Sequence, residues 1–278
     1  MSARANRSTT QRFAPLWLCL LLATLPAWAG RGCETRTLPP QELARAAESA
    51  LRVAAALEAQ PAEVALLARA GTDLSQHGMH YSHVGFVLRD HLRGGWTVVH
   101  LLNYCGRRDS ALFEEGLFNF FADDLVTQDA RIVWLQPELA TRLVPLLRSN
   151  AVHNLHQPHY SLIARPGSAS YQNSTAWVLE LLIAAEYGAA IDRREVPAQL
   201  RDSGFEPDLV HIAYSKRIAG GLFADNLVFT DHSVGTRLRG DYPVVSVRSI
   251  FRYLERQQQI EHQREWRQGT ESVRLGPA

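Results

Sequence analysis

The prediction of the fold starts from two segments, Tyr81-Ser82-His83-Val84-Gly85-Phe86-Val87 and Trp96-Thr97-Val98-Val99-His100. Both are rich in β-branched and aromatic residues, which favour strands, and residues 90–95 between them have the glycine-containing composition of a hairpin loop. Each segment carries one histidine inside an apolar run. Because paired strands bring side chains on one face within hydrogen-bond reach, the pattern allows His83 and His100 to bond each other.

The histidine pair has two interpretations. The first is a general base with an orienting partner, the arrangement that activates a nucleophile. The second is two ordinary imidazoles that are hydrogen-bonded inside a sheet, and spacing alone favours it. Gly85, two residues after His83, permits another backbone or a ligand to approach closely.

The remaining pattern predicts an α+β fold with helices packed on an antiparallel sheet. Predicted strands cover residues 64–69, 132–135, 160–164 and 227–230, and predicted helices cover 43–58, 137–148, 174–187, 196–203 and 247–256. Residues 112–121 are predicted as a short aromatic helix or turn. We therefore divide the chain after residue 29 into a helical segment over 30–60, a core over 61–190, an α+β extension over 191–256 and a flexible polar tail over 257–278.

The first 29 residues have the composition of a secretory leader. Three arginines and no acidic residue precede an apolar run over residues 16–25, and Ala27-Trp28-Ala29 fits a cleavage site. The run is shorter than the ~20 residues that a membrane-spanning helix needs. We therefore expect cleavage after Ala29 and a periplasmic or secreted protein with no transmembrane segment. An uncleaved anchor and a lipoprotein attached at Cys33 are the alternatives.

Cys33 and Cys105 are the only cysteines beyond the leader. In an oxidising compartment two cysteines usually pair, and this disulfide would close a loop of about 70 residues, worth roughly 4 kcal/mol. The alternative is that Cys105 is a free thiol that acts as a nucleophile, which requires a thiolate and an activating base.

The composition argues against several partners. Lysine and arginine number 29 and aspartate and glutamate 28, so the net charge is +1 and gives no electrostatic reason to bind nucleic acid. The 11 histidines include no His-Glu-x-x-His motif, and Pro158 interrupts the only regular histidine spacing. Glycine-rich nucleotide loops are absent from the sequence. We expect neither a metal nor a cofactor.

Ser174 is the third residue of interest. It follows Tyr171-Gln172-Asn173 and begins the predicted helix over 174–187. A hydroxyl there lies near unpaired backbone N–H groups, which can hold an oxyanion. The other interpretation is that Asn173 or Ser174 only caps the helix.

Together, the Tyr-Ser-His-Val-Gly-Phe strand at 81–86, the Asn-x-Cys-Gly turn at 103–106 and Tyr-Gln-Asn-Ser at 171–174 resemble a secreted proteobacterial family, domain-of-unknown-function family 2145. They also resemble the circularly permuted NlpC-type branch of the papain-like superfamily. In that branch a strand histidine is the base, the next strand supplies an orienting residue and a helix-starting cysteine is the nucleophile. The resemblance implies a permuted papain-like core, with His83 as base, His100 as orienting residue and Ser174 in the place of the cysteine.

The serine is a departure from that pattern. A hydroxyl is far less acidic than a thiol and depends more on its base. Serine triads also use a buried carboxylate to stabilise the imidazolium, and we name Asp123 and Asp124 as candidates for it. Three hypotheses follow. The chain is a hydrolase (amidase, peptidase or esterase) that acts on a peptidoglycan peptide or envelope lipid; a pseudoenzyme that binds a wall ligand or envelope protein; or an assembly factor that acts through its C-terminal region.

Overall fold

The structure, a computed structural model, describes residues 37–91, 94–105, 107–188, 192–223 and 226–275. The predicted leader over residues 1–29 lies outside the described residues, and so does Cys33. Cleavage after Ala29 and the Cys33–Cys105 disulfide therefore stay predictions.

The strands, in chain order, are β1 (Val64–Arg69), β2 (His83–His91), β3 (Gly94–Asn103), β4 (Ser110–Gly116), β5 (Ala130–Leu135), β6 (Asp208–His211), β7 (Asp241–Val244), β8 (Ile260–Arg267) and β9 (Thr270–Leu275). The helices are α1 (Pro40–Glu58), α2 (Leu117–Phe121), α3 (Pro137–Leu147), α4 (Ala151–Asn154), α5 (Ser174–Tyr187), α6 (Val196–Asp202), α7 (Tyr214–Phe223), α8 (Val234–Arg239) and α9 (Val247–Arg256). None of the helices in the described part of the chain is long and apolar enough to cross a membrane.

One antiparallel sheet organises the molecule. Its strand order is β4-β3-β2-β1-β5-β8-β9, and each strand runs antiparallel to its neighbours. A separate two-stranded sheet pairs β6 with β7. The predicted α+β class with a mostly antiparallel sheet is confirmed at this level.

The sheet is covered by helices on both faces, and side-chain alternation assigns each residue to one of them. Leu66 and Phe86 point into the larger core, which contains buried residues of α3, α5 and α9. Leu67 and Val87, their neighbours in sequence, point into the opposite core with α1 and α2. Central strand β1 is buried along its whole length because it contributes to both cores.

Residues 257–278 were predicted as a flexible tail, and this prediction is wrong for residues 260–275. β8 pairs with β5 and extends the main sheet, and Trp266 is buried opposite Ala130. β8 is polar in composition although Gln263, Glu265 and Trp266 are buried, and it lies next to β9, the last strand of the sheet. α9 also packs in the larger core, so the core is not confined to residues 61–190 as predicted.

Three shorter predictions also need correction. Residues 112–121, predicted as a helix or turn, form most of β4 and then α2. Residues 160–164, predicted as a strand, make only a single bridge between Tyr160 and Gln172. The predicted extension over 227–230 leads instead into a 3₁₀ turn at Phe229–Asp231. Short apolar runs lack the length that separates strands from turns, which explains these errors.

We predict that Trp266→Ala lowers the free energy of unfolding by about 3 kcal/mol, because truncating a buried aromatic residue leaves a cavity. Denaturant unfolding followed by fluorescence and circular dichroism measures the change. Glu261→Ala, at an exposed position of the same strand, is the control and should change stability by less than about 0.5 kcal/mol. Equal stability of the two variants would contradict the placement of β8 in the sheet.

Candidate functional site

The structure brings the two strand histidines into contact. The Nε2 atom of His83 lies 2.7 Å from the Nδ1 atom of His100, and the rings meet edge to face at 5.0 Å. Both side chains are nearly excluded from solvent, with exposed fractions of 7% for His83 and 0% for His100. The pair belongs to the face of the sheet that α1 and α2 cover, since both rings contact Phe120 of α2.

Gly85 makes this contact sterically feasible. A Cβ atom at residue 85 would lie 2.9 Å from the Cβ of His100 and 2.9 Å from the Cγ1 of Val98. Such distances are shorter than ordinary van der Waals contact, so any side chain here would push β3 away from β2. The glycine thus lets the His100 ring lie over the backbone of β2 and reach His83.

A carboxylate completes the group. Glu115 Oε1 of β4 lies 3.0 Å from His100 Nε2, in an oblique contact. Glu115 is paired in register with Val98, two residues before His100, and therefore lies on the same face of the sheet. We refer to Glu115, His100 and His83 as the relay. The candidates Asp123 and Asp124 do not occupy this position, and Glu115 was missed because residues 112–121 were not predicted as a strand.

Asp123 has a different partner. Its carboxylate lies 2.6 Å from the Arg69 guanidinium. Arg69 is opposite His83 in the β1–β2 register, is almost fully buried, and stacks 4.4 Å above the Phe120 ring. A buried cation is therefore close to the relay, with its charge balanced by Asp123.

The surroundings keep both imidazoles neutral. Burial lowers the pKa of His83 well below its ordinary value, and the charge of Arg69 lowers it further. Burial also lowers the pKa of His100, although Glu115 opposes this effect. If the Glu115 carboxylate accepts the Nε2–H of His100, then His100 Nδ1 accepts the Nε2–H of His83. This arrangement leaves a lone pair on His83 Nδ1.

Ser174 is held at the start of α5 by a separate network. The Asn173 side chain caps the helix by accepting a hydrogen bond of 2.7 Å from the Ala176 N–H, so the capping interpretation is correct for Asn173. The Ser174 hydroxyl and backbone N–H lie close enough to the Tyr160 phenol to lower its pKa. Burial nevertheless raises the pKa of Tyr160 to about 12.

The structure does not bring Ser174 to His83. α5 packs on the face of the sheet that Phe86 occupies, where Phe86 contacts Trp177 at a ring distance of 5.8 Å. His83 is three residues before Phe86 in the same strand and therefore points to the other face. Within the described residues, no hydrogen bond joins His83 and Ser174. The predicted base–nucleophile pair is not formed, because strand alternation separates its two members.

A second buried polar cluster, around Glu180 of α5, was not predicted from the sequence. Gln172 donates a 2.6 Å hydrogen bond to Glu180, and Arg193 lies 3.2 Å from the same carboxylate. Burial raises the pKa of Glu180 to about 7, against the opposing effects of Arg193 and Gln172. The sequence contained a signal for it, since Glu180 is the one charged residue in the apolar stretch over 174–185. The cluster fastens the loop before α5 to the helix.

Other groups give less evidence of a site. Cys105 follows β3 in a turn. Across the described ranges, no three histidine, cysteine or acidic side chains are arranged to hold a metal ion. A cavity of about 530 Å³ lies between α1 and residues 121–129, and Asp123 lines it. No member of the relay is among the residues that line this cavity.

The fold and the site define an α+β protein with a mostly antiparallel sheet and a buried imidazole pair between β2 and β3. A family model described as "Uncharacterized protein conserved in bacteria (DUF2145)" matches residues 56–254, and the chain belongs to this family. The matched region includes the relay and Ser174. Comparisons with curated proteins and with solved structures find no match. The permuted papain-like topology therefore stays a prediction.

We predict that Gly85→Ala lowers the free energy of unfolding by about 1–3 kcal/mol, because the new methyl group overpacks the junction of β2 and β3. Gly95→Ala is the matched control, since a Cβ at that position meets nothing within 4 Å. Urea unfolding of both variants measures the difference. If Gly85→Ala is as stable as Gly95→Ala, the close approach of His100 is not as described.

We also predict that stability falls with decreasing pH through the relay. The folded-state pKa values of His83 and His100 are lowered, so the unfolded chain binds protons first as the pH drops below about 6.5. Below that pH, each histidine lowers the free energy of unfolding by up to about 1.4 kcal/mol per pH unit. Above about pH 6.5 both rings are neutral in the folded and unfolded chain, and their full contribution to stability is present. Unfolding free energies at pH 7.5 and 5.5 should therefore differ more for the wild type than for His83→Gln/His100→Gln. Identical differences would argue against neutral, buried imidazoles.

Proposed function

We propose that this chain is an exported binding protein of the bacterial envelope that keeps the histidine pair of an acyl-transfer site without using Ser174 as a nucleophile. One observation carries the proposal: Ser174 begins a helix that packs on the face of the sheet opposite to His83. The export of the chain is inferred from the leader-like sequence of residues 1–29.

The chemistry of Ser174 supports this proposal. A serine hydroxyl needs a base about 3 Å away that accepts its proton as attack begins. The neighbouring phenol of Tyr160 stays protonated at neutral pH because its pKa is about 12. A protonated phenol cannot take a proton from serine, and within the described residues no imidazole or carboxylate is hydrogen-bonded to the Ser174 hydroxyl.

The relay favours a second candidate function, a hydrolase in which His83 activates a water molecule. A carboxylate, an orienting imidazole and a terminal imidazole follow one another at 3.0 Å and 2.7 Å. A neutral His83 with a lone pair on Nδ1 has the protonation state of a general base at neutral pH. The near-complete burial of His83 is the reason to rank this function second, since a substrate must reach the ring.

Labelling by a fluorophosphonate probe and hydrolysis of p-nitrophenyl acyl esters test the two functions together. For a binding protein we expect no labelling of the wild type from pH 5 to 9, and ester hydrolysis no faster than that of Ser174→Ala or His83→Gln. A known serine hydrolase in the same assay confirms that the probe is reactive. Labelling that Ser174→Ala abolishes would overturn the proposal. Hydrolysis that His83→Gln and Glu115→Gln abolish, while Ser174→Ala retains it, would establish the second candidate.

A further inference from the structure

The cavity between α1 and residues 121–129 is a neighbour of the relay but not part of it. Its volume of about 530 Å³ lies within the ~300–1,000 Å³ range of pockets that enclose small-molecule ligands. One face of α1, the segment after α2 and the turn between β8 and β9 form its walls. Phe121 of α2 lines the cavity, whereas Phe120, the preceding residue, contacts both imidazoles of the relay.

The α1 wall of the cavity follows the spacing of one helical face. Arg45, Ser49 and Arg52 all line the cavity and are separated by four and three residues. The two arginines therefore begin about 10 Å apart along the helix axis, with Ser49 between them. Ser49 is only 3% exposed, and its hydroxyl makes no hydrogen bond within the described residues. A molecule in the cavity can supply the partner that this buried hydroxyl lacks.

Two acidic residues around the cavity are already engaged within the protein. The Asp123 carboxylate is paired with Arg69. The Asp129 carboxylate lies 2.9 Å from His80 Nε2 and accepts a hydrogen bond of 2.7 Å from the Gln268 backbone N–H. These carboxylates therefore shape the wall of the cavity rather than wait for a ligand.

The charges of Arg45, Glu48 and Arg52 are not engaged in this way. All three side chains line the cavity, and none of them makes an ion pair or hydrogen bond within the described part of the chain. Glu48 precedes Arg52 by four residues, the spacing that favours an ion pair on a helix, yet this pair is not formed. The α1 wall thus offers two guanidinium groups and one carboxylate to another molecule.

We propose that this cavity binds a short zwitterionic peptide. Guanidinium groups match the geometry of a carboxylate, so Arg45 and Arg52 are suited to the C-terminal carboxylate and an adjacent peptide carbonyl. Glu48 is suited to the N-terminal ammonium group, and the Ser49 hydroxyl to the peptide backbone.

The other residues of the lining favour a peptide over a simple anion. The carboxylates of Glu48, Asp123 and Asp129 would repel a phosphate or sulfate ion, whereas a ligand with charges of both signs pairs with both kinds of side chain. Phe121 and Leu125 add apolar surface for a side chain of the ligand. The volume suits a molecule of several linked groups, such as a tripeptide, better than a single ion.

This inference names the ligand class of the proposed binding function and rests on that proposal, but it concerns neither Ser174 nor the relay. The test uses the full chain after leader removal and tripeptides with free termini. Each tripeptide has alanine at both ends and one of the natural side chains in the middle. At least one of them should raise the melting temperature and show binding by titration calorimetry. Its N-acetylated and C-amidated forms should bind at least tenfold more weakly.

Variants assign the two ends of the peptide. Arg52→Gln should weaken binding of the free tripeptide at least tenfold and leave binding of the C-amidated form unchanged, because the lost charge pairs only with the carboxylate. The exposed Arg45→Gln repeats this test if Arg52→Gln does not fold. Glu48→Gln should weaken the free tripeptide but not the N-acetylated form. Arg201→Gln and Glu138→Gln are the matched controls, since both residues are exposed on helices outside the cavity.

The absence of binding by every tripeptide would overturn the inference, and so would binding that amidation and Arg52→Gln both leave unchanged. Binding that appears only after residues 30–36 are deleted would assign the cavity to the chain's own N-terminal segment and would overturn it as well. Fluorophosphonate labelling of Ser174 would reject the proposed function whatever the peptides do. Absent peptide binding without such labelling would reject only the peptide site.

Discussion

The alternation of side chains along β2 determines which groups of this protein can meet. Successive residues of a strand point to opposite faces, so His83 and Phe86 cannot share a layer. Phe86 joins the core beneath α5, and His83 joins the group around Phe120. The pairings with β1 and β3 fix this register on both sides. A slip of one residue would turn an entire apolar row of β2 toward the opposite core.

Burial of the histidine pair is stable only because the group stays uncharged and paired. Unpaired polar atoms in a protein interior cost free energy, and unpaired charges cost far more. His83 and His100 meet this requirement by bonding each other as neutral rings, and Arg69 is balanced by Asp123. The same features that make the relay look like catalytic machinery are those that a structural polar cluster needs. The distances within the relay therefore do not separate a catalytic role from a structural one. The access of solvent or substrate to His83 separates them better.

Much of the framework was predictable from local pattern. β1 and α5 have the predicted bounds, and the β2–β3 hairpin was recognised. Glycines follow soon after β1 and directly after α5, and the two hairpin strands are rich in β-branched and aromatic residues. β8 was not recognised, because six of its eight residues are polar or charged and the segment therefore resembles a solvated tail. Tyr160 and its neighbours form a loop although their composition favours a strand, because their hydrogen bonds go to residues 108, 172 and 226 in separate segments.

The sequence predicted three residues of the candidate site and the contact between two of them, but neither the position of the third nor the part played by Glu115. His83, His100 and Ser174 were all selected by sequence, and the structure joins only the first two. Whether a histidine faces a given helix depends on two things: the face of the sheet to which its position in the strand points, and the face on which that helix packs. The packing of the helix is a tertiary property that local sequence does not determine. Glu115 shows the same dependence, because its role appears only once residues 110–116 are paired with β3. A family resemblance carries residue identities between proteins, whereas a mechanism requires those residues to meet, and function must be argued from the site rather than from the fold.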